Sequence, residues 1–317
     1  MPQTIQTETL LNNAAGYARA AQIWRDGGLV ALPTETVYGL GADAANDIAV
    51  ARIYEAKGRP SFNPLIVHLA DLEAVKALVR WNDHAEKVAD AFWPGPLTMV
   101  LPLRDGAGLS KLVTAGMATL AVRMPAHPTA RRLLAEFGGP VAAPSANRSG
   151  HISPTRADHV MADLNGRIEA VLDGGPCESG LESTIIGLTD VPTLLRPGHV
   201  TREALSQVLG LPVAQRHDTD AISAPGQTAS HYAPNARVRL NAVDWALGEA
   251  RLGFGDVDCD LNLSASEDLT EAAANLFEYL HRLDDAGATT IAVSPIPHLG
   301  LGVAINDRLT RAAAPRD

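Results

Sequence analysis

Residues 57–68 read KGRPSFNPLIVH, and this stretch joins a predicted helix to a predicted strand. The helix, over about residues 47–57, ends at Gly58, because glycine readily adopts the left-handed backbone conformation that closes a helix. The apolar run that follows has the length of a buried strand. Lys57 and Arg59 lie on either side of the glycine, so the stretch predicts an α-to-β connection that carries two cations.

Helix and strand patterns alternate on both sides of this connection. Helical spacing is present over residues 10–26, about 71–80, 82–91, 127–138, 156–164 and 201–209. Strand patterns are LVALP (29–33), LTMVLPL (97–103) and TLAVRMP (119–125), with shorter ones in PVAAPSAN, IEAVLDGG, STIIGL and TLLRPG. This mixture predicts an α/β domain over residues 10–209 with a mainly central sheet.

The alternation stops over residues 210–236, which are polar and contain proline, glycine and serine at intervals. A stretch of this length that shows neither the helical nor the strand repeat of apolar residues is unusual inside a compact domain. It therefore predicts an interdomain linker. Its PGQTASHYAP segment is unusual for a passive tether, because it carries His231 beside Tyr232. Residues 237–317 then predict a small Rossmann-like α/β domain, with strands, a long helix over about 267–285 and a last helix over about 300–313.

Composition and termini indicate a globular protein of the cytoplasm. The 317 residues are 46% hydrophobic and 20% charged, an ordinary globular composition. The start, MPQTIQTETL, lacks signal-peptide features, and no apolar run approaches the roughly 18 residues of a membrane span. Two cysteines, Cys177 and Cys259, form no metal-binding or disulfide pattern, which favours a reducing compartment.

The charge balance argues against strong direct binding to nucleic acid. The net charge is −10; residues 1–209 hold 18 Lys/Arg and 21 Asp/Glu, and residues 237–317 hold 7 and 13. Duplex binding requires many cations to neutralise phosphates. A few converging cations are nevertheless sufficient for a small anionic ligand.

Standard nucleotide, metal and hydrolase motifs do not occur. The sequence has no G-x-x-x-x-G-K-[ST], no H-E-x-x-H and no G-x-S-x-G, and its histidines form no metal-ligand cluster. The segments GLGAD (39–43) and GLGVA (300–304) lack the third glycine of a dinucleotide motif.

Four polar turns adjoin predicted strands, and their convergence would build an anion site. They are PTETVYGLGAD (33–43), KGRPSFN (57–63), APSANRSG (143–150) and ESGLESTI (178–185). Loops at the ends of one sheet tend to meet, and ligands of open α/β sheets bind there. Together with two strand-end arginines, Arg123 and Arg196, the turns would present several cations, hydroxyls and one amide to a ligand with a phosphate chain.

Each of these features also has a plainer interpretation. Lys57 and Arg59 could only cap the end of their helix, where cations contribute about 0.3–1 kcal/mol. His68 could be a half-buried structural histidine, and the Ser/Asn-rich segment could be an ordinary turn. Glu35 and Glu182, in polar turns, are taken as solvated carboxylates by default.

Taken together, the motifs identify a family. PTETVYGLG, KGRPSFNPLIVH, WPGPLTMVL, TLAVRMP, APSANRSGHISPT, STII and LLRPG occur in this order and resemble the YrdC-like domain. The linker motif APGQTASHYAP and the small last domain resemble the long, two-domain form of the threonylcarbamoyl-AMP synthases. The resemblance implies a twisted mixed sheet with helices around a concave cleft, and it covers the chain from about residue 10.

The resemblance also implies a reaction and its partners. L-threonine, bicarbonate and ATP, with Mg²⁺, would give threonylcarbamoyl-AMP and pyrophosphate, without a protein nucleophile. A downstream transfer complex would then modify the adenosine beside the anticodon of certain tRNAs. The linker, residues 210–236, would fold over the cleft as a lid and exclude water. Gln227 departs from the methionine that is expected in the lid motif.

Site residues are carried over by position in these motifs. The K-x-R and S-x-N tetrad is Lys57, Arg59, Ser145 and Asn147, of which Lys57 and Arg59 would be catalytic. Further ATP contacts would be Asn63, Thr119, Ser153, Arg196 and Tyr232. L-threonine would contact Thr36, His68, Arg123, the backbone of Ala143, and Ser183.

Two alternatives stay open at this point. One is a YrdC-type enzyme that forms a carbamoyl adenylate from carbamoyl phosphate, although such proteins usually carry acylphosphatase-like and zinc-finger modules that this sequence lacks. The other is an RNA-binding module that recognises its target by shape, for which a large basic face would be required.

Overall fold

The computed structural model describes residues 5–216, 224–227 and 230–315. In this part of the chain the first eleven strands are β1 (Glu8–Leu11), β2 (Val30–Leu32), β3 (Gly39–Asp43), β4 (Ile66–His68), β5 (Leu97–Pro102), β6 (Thr119–Arg123), β7 (Val141–Ala142), β8 (Ala170–Asp173), β9 (Thr184–Gly187), β10 (Thr193–Arg196) and β11 (Ala214–Gln215). The helices that accompany them are α1 (Ala14–Arg25), α2 (Asp47–Lys57), α3 (Leu72–Leu78), α4 (Asp83–Phe92), α5 (Pro128–Phe137), α6 (Ala157–Leu164) and α7 (Arg202–Leu209).

These strands form one mixed sheet in the order β1-β8-β2-β3-β7-β4-β6-β5-β9-β10-β11. Strand β4 runs parallel to β6, with His68 opposite Arg123, and β5 runs antiparallel to β6. The predicted α/β class with a mixed sheet is therefore confirmed. Because β4 and β6 end together, His68 and Arg123 lie side by side at one edge of the sheet.

Local signals explain the connection between α2 and β4. The Asn46 side chain accepts hydrogen bonds from the backbone amides of Ile48 and Ala49, which caps the start of α2. The helix ends at Gly58, whose φ of 59° lies in the left-handed region. The predicted stop is confirmed, and the chain turns there to bring Arg59 back toward the sheet.

A small α/β unit, residues 237–315, contains a second sheet. Its elements are β12 (Arg237–Arg239), β13 (Ala250–Gly253), β14 (Leu261–Asn262), α8 (Leu269–Asp285), β15 (Thr290–Val293) and α9 (Leu301–Ala313). The strands are all parallel, in the order β12-β15-β13-β14, as a Rossmann-like pattern requires.

The core of the small unit continues into the large one. Phe277 and Leu276 of α8 belong to one buried apolar cluster with Val37, Ile152 and Leu181 of the large unit. Because apolar side chains of both units are buried together in this cluster, the contact between the units is a fixed interface and not a loose tether.

The predicted linker, residues 210–236, is partly ordered against both units. Strand β11 lies within it and pairs with β10 in parallel. The backbone amide of Ala233 donates to Gly150 of the large unit (2.8 Å), and that of His231 donates to Arg311 of the small unit (3.2 Å). Residues 217–223 and 228–229 lie outside the described residues. The division of the chain at residues 209 and 236 stays a prediction.

None of the helices in the described ranges combines the length and the apolar composition that a bilayer crossing requires.

Candidate active site

One cleft is lined by residues from all four polar turns, so their predicted convergence is confirmed. It lies between the sheet edge and the residues Pro225, Gly226, His231 and Tyr232. The predicted site residues on its wall are Thr36, Arg59, His68, Arg123, Ala143, Ser145, Ser183, Arg196 and Tyr232. Lys57, Asn63, Thr119, Asn147 and Ser153 do not line it. The functional roles of all these residues stay predictions.

A buried ion pair organises one end of the cleft. Arg123, 3% exposed at the end of β6, donates to Glu35 Oε1 (2.6 Å) and to Thr36 Oγ1 (2.9 Å). Burial alone would raise the pKa of the Glu35 carboxyl, but the charge and hydrogen bond of Arg123 outweigh it and hold the pKa below its ordinary value. Backbone amides of Ala126 and His127 bind the other oxygen. The expectation that Glu35 is solvated is therefore wrong.

His68 lies next to this pair as a neutral imidazole. It is 4% exposed, and burial together with the positive charge of Arg123 lowers its pKa to about 3. Its Nδ1 is buried and has no hydrogen-bond partner among the described residues. A buried nitrogen without a partner is costly, so a ligand that supplies a hydrogen bond would be stabilised there.

Arg196 connects the turn before β9 with the segment that covers the cleft. Its Nε donates to the backbone oxygen of Ser183 (3.1 Å) and one terminal nitrogen donates to Ser183 Oγ (3.2 Å). The other terminal nitrogen lies 3.5 Å from the Pro225 oxygen. Ser183 Oγ also shares a hydrogen bond with Thr98 Oγ1 on β5 (2.8 Å). These contacts fix a hydroxyl and a guanidinium side by side.

Lys57 organises the adjacent loop from behind the wall. The residue is 3% exposed, and its Nζ donates to the backbone oxygens of Ser145 (2.5 Å) and Asn147. Burial, and then the charge of Arg59, lowers the pKa of the Lys57 ammonium well below its ordinary value. Asn147 donates to the Arg148 and His151 oxygens, and its Oδ1 is without a partner in the described ranges.

Arg59 folds back onto its own turn. Its Nε donates to the Asn63 oxygen (3.2 Å) and a terminal nitrogen donates to the Pro64 oxygen (2.8 Å). Burial lowers its pKa to about 10, so it is charged at neutral pH. Asn63 is 3% exposed, and its buried Oδ1 has no partner in the part of the chain that the structure describes. The hydrogen bonds described for the Lys57 and Arg59 side chains go to loop carbonyls and not to the last carbonyls of α2, which disfavours the interpretation of these side chains as helix caps.

Thr119 lies away from the other predicted contacts. It is at the opposite end of β6 from Arg123 and lines a second cleft with Val100 and Leu195. A small apolar cluster that includes Ile66 and Ala224 lies against Leu195. Since Ile66 lines the main cleft and Leu195 the second one, this apolar surface separates the two.

Residues from the predicted lid form part of the wall of the main cleft. Pro225, Gly226, His231 and Tyr232 lie on its wall. A Cβ at Gly226, whose φ is 81°, would lie 2.8 Å from Tyr232 Oη, so this position requires glycine. Gln227 accepts from the Ala224 amide (3.2 Å) and donates to the Leu195 oxygen of β10 (3.1 Å). Polar bonds therefore hold the segment where packing by methionine was expected.

A second buried ion pair reaches this region from the small unit. Arg308 of α9, with 1% of its side chain exposed, donates to Glu182 Oε2 (2.9 Å). Ser153 Oγ donates to the other oxygen of Glu182. The solvated state expected for Glu182 is wrong, and Arg308 was missed by sequence reasoning, because helix α9 carries no chemical motif.

The described residues include no group of three or more His, Cys, Asp or Glu side chains that could hold a metal ion. The two carboxylates nearest the cleft, Glu35 and Glu182, are committed to arginines.

Two family models match the chain. The model described as "Telomere recombination" matches residues 22–198, and the model described as "Threonylcarbamoyl-AMP synthase, C-terminal domain" matches residues 200–314. Threonylcarbamoyl-AMP synthase of Bacillus subtilis is 42% identical, over 98% of this chain and 96% of that protein. The protein of the same name from Pyrococcus abyssi is 41% identical, over 94% of each chain.

The chain is also similar to solved structures. The crystal structure of Sua5 from P. abyssi complexed with L-threonine is 37% identical, with a TM-score of 0.88 over 97% of each chain. The crystal structure of YciO from E. coli, 22% identical, shares the fold over 61% of this chain and 96% of its own, with a TM-score of 0.54.

Proposed function

The chain belongs to the threonylcarbamoyl-AMP synthase family, and from this premise we propose that its cleft joins L-threonine, bicarbonate and ATP into threonylcarbamoyl-AMP, with release of pyrophosphate. The observation that carries the proposal is the pairing of two different polar surfaces in one cleft. Arg123, Thr36 and His68 form one end, and Arg59 and Arg196 approach the other.

The first end suits the amino acid. A guanidinium has five N–H donors, and the bonds from Arg123 to Gly95, Thr36 and Glu35 use three of them. Two donors remain for the carboxylate of L-threonine. Neutral His68, with its unpartnered Nδ1, and Ser183 would bind the hydroxyl and the amine, beside the backbone of Ala143.

The second end suits the nucleotide phosphates. Arg59 and Arg196 are cationic and buried, and Ser145 Oγ adds a short polar partner at the same wall. The Asn63 and Asn147 side-chain oxygens, both without partners in the described ranges, would be satisfied by donors of the nucleotide or of its water shell. As an ammonium, Lys57 has three N–H donors, of which two are used by the loop; the third would be available to a phosphate, whose negative charge would stabilise the ammonium form.

Two of the residues predicted to contact ATP, Ser153 and Thr119, lie away from the wall of the main cleft. Ser153 is fully buried and bonded to Glu182, so it would support the wall beside the phosphates. Thr119 would meet the nucleotide only where the base follows β6 past Ile66 into the second cleft.

The chemistry would need positioning more than a reactive protein group. The threonine amine and bicarbonate give a carbamate and water; a carbamate oxygen then bonds to the α-phosphorus of ATP as the bond to the β-phosphate oxygen breaks. Lys57, Arg59 and the Mg²⁺ that accompanies ATP would offset the developing negative charge. Carbamates lose CO₂ and acyl phosphates hydrolyse, so closure by Tyr232 and its neighbours would protect both.

The product would pass to a downstream complex that modifies the adenosine next to the tRNA anticodon. The acidic balance of residues 237–317 supports delivery without strong direct binding of nucleic acid. A cytoplasmic location would give the protein access to both ATP and the tRNA pathway.

Pyrophosphate release from ATP tests the proposal. The wild-type protein is assayed with bicarbonate and L-threonine, L-serine, L-alanine or no amino acid. We expect release that requires both L-threonine and bicarbonate. Release that is indifferent to L-threonine, or none under any condition, would overturn the proposed function.

A further inference from the structure

The small unit contributes one charged side chain that contacts the wall of the cleft from behind. Arg308 projects from α9 across the interface, and its Nε lies 2.9 Å from Glu182 Oε2. Glu182 itself lines the cleft. The side chains are 1% and 7% exposed, so the pair is shielded from water and its attraction is screened less than that of a surface pair. Arg308 also donates to Asp307 Oδ2 of the same helix (2.8 Å).

The same guanidinium lies against the residue that closes the cleft. Its central carbon is 5.3 Å from the ring centroid of Tyr232, within the range of a cation–π contact. Phe277 of α8 lies against the same ring, with centroids 5.5 Å apart. Two residues of the small unit therefore hold Tyr232, which is 1% exposed.

The backbone of Tyr232 explains why such a hold is needed. Its φ of 63° lies in the left-handed region, which costs a non-glycine residue free energy unless its surroundings stabilise it. Tyr232 Oη and one terminal nitrogen of Arg308 are buried without partners among the described residues. Tyr232 lines the cleft, so its hydroxyl is a donor available to a ligand or its water shell.

We propose that Arg308 is a positioning residue of the nucleotide end: it cancels the charge of Glu182 beside the bound triphosphate and holds Tyr232 in the closed position. The inference rests on the proposed function, and it assigns the small unit a direct part in nucleotide binding. Without Arg308, a buried carboxylate would face the phosphates with Arg196 as the remaining nearby cation, and Tyr232 would lose one side of its support.

Binding of a non-reactive nucleotide measures this role directly. α,β-Methylene-ATP is titrated calorimetrically in the presence of L-threonine into the wild type, Arg308→Met and the double variant Arg308→Met/Glu182→Gln. We expect Arg308→Met to weaken analogue binding at least about tenfold, since truncating one partner of a buried pair leaves the other charge uncompensated. L-threonine affinity, measured alone, should change less than threefold.

The double variant separates charge cancellation from packing. Removing the Glu182 charge should recover at least threefold of the lost affinity, whereas a purely structural role predicts two losses that add. Arg251→Met is the matched control, because Arg251 pairs with Asp258 and Asp260 at the surface of the same unit. It should bind the analogue as the wild type does.

Folding and activity are checked independently. Thermal unfolding shows whether Arg308→Met is folded; if it is not, Arg308→Lys, which keeps the charge but loses the planar contacts, should bind the analogue at least threefold more weakly. Wild-type-like binding by the folded Arg308 variant, or a double variant no better than the single one, would overturn the inference. If the wild type shows no threonine-dependent pyrophosphate release, the proposed function fails, while the analogue titrations still decide the role of Arg308.

Discussion

The two ends of the cleft are each built around a buried arginine–glutamate pair, but the pairs connect different parts of the molecule. Arg123 and Glu35 both belong to the large unit, and backbone amides of Ala126 and His127 complete the hydrogen bonding of the carboxylate. Arg308 and Glu182 belong to different units. The first pair is therefore complete once the large sheet folds, whereas the second also requires the small unit to dock.

This difference separates recognition from closure. The threonine end, with His68 and Thr36 beside Arg123, does not depend on residues after 236. The nucleotide end depends on Tyr232, which is packed against Arg308 and Phe277. We therefore expect substitutions at the first end to change threonine affinity and those at the second to change nucleotide retention.

The largest effect is expected from Arg123→Met. Removing one partner of a buried pair leaves Glu35 uncompensated and costs about 3–5 kcal/mol of folding stability. L-threonine binding should be lost, because Arg123 is the cation that lies beside Thr36 and His68 at this end of the cleft. Chemical denaturation and calorimetric titration measure the two effects.

The double variant Arg123→Met/Glu35→Gln is the control for that change. It should regain much of the stability but none of the threonine affinity. Recovery of both would show that Arg123 acts only through Glu35, and the contrast between a ligand-binding pair and a supporting pair would then fail.

Lys57→Ala tests the nucleotide end within the large unit. We expect a loss of at least about 2 kcal/mol of transition-state stabilisation, by analogy with the removal of a preorganised charged donor. The loss should appear in kcat/KM for ATP, since the loop of Ser145 and Asn147 is also released. Arg59→Ala should behave similarly, and near-normal turnover of either variant would exclude a phosphate role for that residue.

The sequence predicted those features that depend on neighbours in the chain. The stop of α2 at Gly58 and the strand after it follow from local glycine and apolar patterns, and the four turns converge because strand ends share an edge. Burial of Glu35 could not be predicted, because its partner Arg123 is 88 positions away. Glu182 and Arg308 are separated by 126 positions.

The orientations of the Lys57 and Thr119 side chains also could not be predicted from the sequence. Motif positions indicate which residues belong to a site, but they do not show whether a side chain faces the ligand or the supporting loop. Lys57 donates to loop carbonyls, and Thr119 lines a separate cleft. Distances of this kind depend on the complete sheet, so only the folded structure supplies them.

The pH dependence of stability tests His68 at the threonine end. Its pKa of about 3 in the folded protein lies below the ordinary value of 6.5, so the unfolded chain binds the proton more readily. Stability from this group is complete above about pH 6.5 and falls by about 1.4 kcal/mol per pH unit as the pH drops toward 3. His68→Gln should make the slope less steep in denaturation measured at pH 7, 6 and 5, without abolishing it, because burial also lowers the pKa of other histidines such as His159 and His231. An unchanged slope would show that His68 is charged when folded.

Tyr232→Ala should leave the fold intact and increase the loss of the intermediate to solution. Truncation removes the ring between Arg308 and Phe277, so closure weakens, while Tyr232→Phe keeps the ring and isolates the hydroxyl. Released threonylcarbamoyl-AMP, relative to pyrophosphate, measures the leakage. Equal leakage from the wild type and the alanine variant would show that Tyr232 does not act as a lid. L-threonine affinity should be unaffected by both substitutions.

The smallest effect is expected at Gln227, where this chain departs from the methionine of the lid motif. Its amide hydrogen-bonds with Ala224 and with Leu195 of β10, and each of these bonds is worth about 0.5–1.5 kcal/mol net. Gln227→Met exchanges these hydrogen bonds for apolar contact with neighbouring Leu195. The loss and the gain in the free energy that holds the segment against β10 should therefore largely cancel, within about 1 kcal/mol. Gln227→Ala removes both kinds of contact and should weaken α,β-methylene-ATP binding more than Gln227→Met does. Equal binding by the two variants would mean that closure depends on the small unit alone, which would sharpen the contrast between the ends of the cleft.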